Sequence, residues 1–70
     1  MTQEDIRQLD HYQITDLLLS RGIQGTYRTA EGICVRPLKG PDRLANQEES
    51  LLHEQSVWSY HIEEALSGVL

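Results

Sequence analysis

The chain has 70 residues, 39% of them hydrophobic and none phenylalanine, with a single cysteine and six basic against eleven acidic side chains, a net charge of −5. That size admits one domain, 1–70, burying only roughly 60% of its unfolded surface. Cys34 alone excludes an internal disulfide framework and a multi-cysteine zinc site, and no apolar run approaches the ~18 residues of a membrane span.

The first block reads as helix. Thr2 and Asp5 have the spacing of an N-terminal capping box, and Gly22 supplies a left-handed stop that lets Ile23 fold back onto Leu18. Ile6, Leu9 and Leu17 share about one helical face, but Asp10 and Gln13 interrupt it, which predicts a kink or short break there. Leu17, Leu18 and Leu19 in a row require burial from more than one side.

The middle block reads as a β-hairpin. Ile23–Thr29 and Ile33–Leu38 are rich in β-branched and aromatic residues and flank Ala30-Glu31-Gly32, a turn in which Gly32 takes the bulge position. A three-residue loop sets Thr29 against Ile33, Tyr27 against Val35 and Gly25 against Pro37. Ile23, Tyr27, Ile33 and Val35 then form the apolar face, with Arg28 and Arg36 as diagonal neighbours on the other. Pro37 lacks an N–H, so its side of the second strand is expected to be a free edge.

Gly40-Pro41-Asp42 punctuates the chain, and Asn46 with Glu49 repeats the capping spacing at the start of a helix running to Ser67 and closed by Gly68. Trp58, Ile62, Ala65, Leu66 and Val69, with Gln55 among them, lie within about 60° of Leu51 and form with it the predicted core stripe. Such a helix, about 31 Å long, exceeds the width of an 8 kDa globule, so it bends, starts later at Ser50, or shares its length with a second subunit. The fold class expected is therefore α+β, in the order helix, β-hairpin, long helix (αββα), as a homodimer.

Charge is divided along the chain. Residues 1–20 set Arg7 against Glu4, Asp5, Asp10 and Asp16 (−3), and residues 21–43 set Arg21, Arg28, Arg36, Lys39 and Arg43 against Glu31 and Asp42 (+3). Residues 44–70 hold Glu48, Glu49, Glu54, Glu63 and Glu64 with no Lys or Arg (−5). Such asymmetry signals a partner rather than a fold. The five basic residues form a candidate patch for nucleic acid, although an acidic chain of pI ≈ 4.9 is unlike a dedicated nucleic-acid binder. Their ordinary alternative is pairing with the flanking acidic helices. The glutamates of the last helix offer a lesser reading, an acidic mimic of nucleic acid.

Val57 and Tyr60 lie off the core stripe and, with His53 and Glu64, make a second line on the back of the long helix. These residues and Trp58, a core residue or an interface anchor, are the candidate partner-binding set. Chemistry is poorly provided for. No spacing brings Cys34 to His11, His53 or His61, the histidines make no ligand set, and the glycines match no phosphate-binding motif. No catalytic residue, metal or cofactor is expected. The leading expectation is a non-enzymatic protein–protein interaction module, a small regulator, adaptor or inhibitor. The single cysteine and the acidic start Met1-Thr2-Gln3-Glu4-Asp5, unlike a signal peptide, point to a reducing, cytoplasmic setting with no membrane.

Overall fold

The computed structural model describes residues 2–69, with side chains as far as Leu66. The order is α1 (Gln3–Arg7), α2 (His11–Ser20), β1 (Ile23–Thr29), β2 (Gly32–Pro37), β3 (Arg43–Leu44) and α3 (Gln47–Val69), the small α+β arrangement expected.

Two helices occupy the first block. Thr2 caps α1, its Oγ1 accepting from the Asp5 N–H at 3.2 Å. The polar pair that interrupts the stripe is itself a capping box. Asp10 Oδ1 accepts from the Gln13 N–H at 2.8 Å, and Gln13 Oε1 accepts from the Asp10 N–H at 3.0 Å. The chain therefore breaks at Gln8–Asp10 and starts a new helix, because Asp10 satisfies the free N–H groups of α2. Gly22, at φ 78°, stops α2 as expected. The three leucines separate: Leu18 is buried, Leu17 half-buried and Leu19 exposed, so burial from several sides is not required.

The hairpin register differs from the expected one by a residue. The loop is Ala30–Glu31, with Thr29 paired to Gly32, Arg28 to Ile33, Tyr27 to Cys34 and Thr26 to Val35. Gly32 at φ 131° takes up the twist of an unprimed turn, and Thr29 Oγ1 accepts from the Glu31 N–H at 3.2 Å. A one-residue slip exchanges the faces of a strand. Thr26 and Arg28 therefore share the helix-facing side with buried Ile33 and Val35, while Tyr27 lies on the opposite side. An irregularity between Ile23 and Gly25 returns Ile23 to the buried face.

The Pro37-bearing strand is central rather than an edge, because β3 pairs beside it at Cys34–Leu44 and Val35–Arg43. Two residues are too short to carry a sequence signal. The outer strands of the sheet are β1 and the two-residue β3.

All three helices lie over one face of the sheet around Ile6, Ile14, Leu18, Ile23, Val35 and Leu52. Asn46 caps α3, with the Glu49 N–H donating to its Oδ1 at 2.8 Å. The helix continues through Ser67 and Gly68 to Val69, so Gly68 does not close it. Its 23 residues span about 34 Å, whereas the 10 residues of α2 span about 15 Å. The remainder projects, giving a molecule of 41 × 25 × 20 Å. Among the described residues, no helix is long and apolar enough to cross a membrane.

Candidate functional site

The two ends of α3 have different surroundings. Leu52 is fully buried, although the predicted stripe omits it. Next in line, Gln55 Nε2 donates to the carbonyls of Arg7 and Leu9 at 3.3 and 3.1 Å, tying α3 to the α1–α2 junction. The last tie to α2 runs from the His11 N–H to Ser59 Oγ at 3.2 Å, with His11 stacked obliquely on Tyr12 and edge-on to Tyr60. His11 Nδ1 lies 3.2 Å from Glu63 Oε2 but outside hydrogen-bonding geometry, which leaves that buried nitrogen unsatisfied.

Round the helix from these ties the apolar stripe faces solvent. Trp58 is 60% exposed, Ile62 39% and Leu66 65%. The expected core role of this part of the stripe is thus not realised, because Trp58 and Ile62 stand about 120° and 80° round α3 from the buried Leu52. Val69 lies outside the described side chains. Trp58 forms a ridge between two open grooves. One is lined by Gln3, Ile6, Arg7, Leu51 and Gln55, and the other by Arg28, His53, Val57 and Ile62.

The proposed second line is divided. Val57 and Tyr60 are exposed, whereas His53 is half-buried, its Nδ1 2.7 Å from Thr26 Oγ1. Burial pushes the His53 imidazole below its usual pKa, Arg28 pushes the same way, and Glu54 opposes them.

The basic residues do not converge on one side. Arg21 pairs with Glu48, Arg28 approaches Glu54 at 3.7 Å, and Arg43 clasps Glu49 with two hydrogen bonds of 2.9 Å. The hydrogen bond from Arg43 holds the buried Glu49 carboxyl below the usual carboxylate range, and the Asn46 N–H adds to this against the opposing effect of burial. Arg21 lowers Glu48 in the same way. Arg36, paired with Gly25, lies on the far sheet face from Arg28, and Lys39 sits in the loop after β2. On that open face, Tyr27, Cys34 and Leu44 align across the three strands. Tyr27 donates to Asp42 at 2.8 Å, and this bond, together with burial, raises its pKa to about 12.

Cys34 and His53 lie toward opposite faces of the sheet, and Cys34 Sγ has Thr29 Oγ1 at 3.9 Å. Among the described residues no three His, Cys, Asp or Glu side chains are grouped to hold a metal. The exposed surface follows from the burial of Leu52, about 120° round the helix from Trp58, which turns the predicted stripe away from the core. Comparison with protein-family models, with curated proteins and with solved structures gave no match.

Proposed function

We propose that this chain is a non-enzymatic protein–protein interaction module, a small regulator, adaptor or inhibitor that binds through the projecting half of α3. One observation carries the reading: Trp58, Ile62 and Leu66, spaced four apart on one helical face, stand 60%, 39% and 65% exposed. Contiguous apolar surface of this kind is characteristic of a binding face, and tryptophan and tyrosine dominate the energetics of protein interfaces. Trp58 and Ile62 act as anchors, with Val57 beside them, while Tyr60 stands on the opposite side of the helix against His11. The half-buried His53 contributes the wall of one groove.

The nucleic-acid alternative retains less support. Arg21 and Arg43 are hydrogen-bonded to glutamates of α3, and Arg28 and Arg36 lie on opposite faces of the sheet. The acidic-mimic alternative weakens because Glu48 and Glu49 are engaged from within the chain.

The test is affinity purification with wild-type protein and Ile62→Glu, with and without nuclease, alongside circular dichroism. The reading expects a nuclease-resistant protein partner that Ile62→Glu loses while retaining wild-type helix content. Retention of the same partners by both proteins would refute the α3 surface, and loss of all partners on nuclease treatment would favour the basic hairpin.

A further inference from the structure

We infer that the exposed face of α3 carries a pH-controlled charge switch, in which proton uptake by His53 and His61 turns the groove on one side of Trp58 from electrically balanced at neutral pH to cationic at about pH 5. This inference rests on the reading of that face as a binding surface and adds how its choice of partner is regulated.

Helix geometry sets the two histidines along one groove. His53, Val57 and His61 are spaced four apart and form one ridge of α3, beside the parallel ridge of Glu54, Trp58 and Ile62. Both ridges line the same open groove, and Arg28 of β1 completes the lining with Ala65. The fixed charges of this lining cancel. Arg28 approaches Glu54 at 3.7 Å, and apart from the histidines the other lining residues are apolar. Histidine is the side chain whose unperturbed charge change falls between about pH 5 and 8, so the two imidazoles decide the charge of the groove there.

The neighbouring elements do not offset the change. From β1, Thr26 Oγ1 lies 2.7 Å from His53 Nδ1, and a hydroxyl can accept from a protonated imidazole as well as donate to a neutral one. The contact therefore outlasts proton uptake. From β2, the buried Ile33 and Val35 carry no charge. On α3, Glu49 one turn before His53 is clasped by Arg43, Glu63 turns to His11 of α2, and Glu64 opens beside His11 and Tyr60. From α1, Arg7 lines the groove on the other side of Trp58 and adds a constant positive charge. Burial and Arg28 oppose a charge on His53 while Glu54 favours it, which places its proton uptake toward the acid end of the range. At neutral pH the face selects by its apolar ridges. In acid it also gathers anionic groups, so acidic partners gain and basic ones lose.

Trp58 is the only tryptophan and borders the groove, so its emission reports the charge there. The test quenches that emission with iodide and with acrylamide at pH ~7.5 and ~5, at a constant ionic strength of about 0.15 M. Taking iodide relative to acrylamide cancels changes in lifetime and in general accessibility. The ratio should rise about 2-fold on acidification, as two nearby unit charges gather anions at that ionic strength. The double variant His53→Gln/His61→Gln should hold the neutral ratio at both pH values, with unchanged circular dichroism. His61→Gln alone, at an exposed position, should lose part of the rise even where His53→Gln weakens folding.

An equal ratio at both pH values in the wild-type protein would overturn the switch. A rise that the variants retain in full would also overturn it, by tracing the change to carboxylates. Either result leaves the docking face to the purification with Ile62→Glu, and failure of that purification would remove the binding role without altering the ratio.

Discussion

Leu52 and Ile62 are ten residues apart on one helix, yet the first is fully buried and the second is 39% exposed. Nothing in the local chemistry separates them, as both are aliphatic residues on a continuous helix. The difference comes from what lies opposite. The first half of α3 runs against α1, α2 and the sheet, and its last contact with α2 is at Ser59 and the nearby Tyr60 and Glu63. Ile62 lies within that stretch but about 80° round the helix from Leu52, turned away from α2. Two faces of one helix thus serve two purposes, folding on the Leu52 side and availability on the side of Trp58 and Ile62.

Substitutions should separate the two halves sharply. Leu52→Ala empties a fully buried site and should cost about 3 kcal/mol in urea unfolding. Glu49→Ala removes a capping box as well as the Arg43 contact, and should cost about 1–2 kcal/mol at neutral pH. Arg43 holds the folded-state pKa of Glu49 below its unfolded value. This stabilisation is therefore complete above pH ~4.3 and is lost as pH falls through the lower folded value, so Glu49→Ala should flatten the acid limb of a stability profile. Asp10→Ala uncaps α2 and should cost about 1 kcal/mol.

His53 yields a smaller effect of the same sign. Its folded pKa is also depressed, so its contribution is present above pH ~6.5 and declines as pH falls through the folded value. Thermal melts of His53→Gln should therefore show a shallower drop on acidification below that point than wild type. Least of all, Ile62→Ser should change stability by under ~0.5 kcal/mol, as substitution on an open surface does. A loss comparable to that of Leu52→Ala would erase the distinction between the two halves.

Much of the fold is legible in the residues. The Thr2–Asp5 and Asn46–Glu49 boxes mark helix starts, Gly22 marks a stop, and the β-branched runs mark the hairpin. Asp10–Gln13 has the same spacing as those boxes, so the residues that interrupt the apolar stripe also encode the cap that starts α2. The strand register was not legible. Ala30-Glu31-Gly32 suits a two- or a three-residue loop, and the irregularity after Ile23 restores that side chain to the core in a way alternation does not foretell. That slip is also what parts Arg28 from Arg36. In α3, periodicity establishes which residues share a face but not what covers it, since coverage depends on the lengths of other elements. The ion pairs of Arg21, Arg28 and Arg43 arise from tertiary packing, so the charge blocks announced their likelihood of pairing but not the partner of each.

The emission of Trp58 in dilute, isolated protein tests the central claim most directly. An indole standing on the open ridge of α3 should emit at the long wavelength of a water-exposed tryptophan and be readily quenched by acrylamide, independent of protein concentration. Blue-shifted emission that resists acrylamide would contradict the account, because it would place Trp58 within a packed core or a preformed interface.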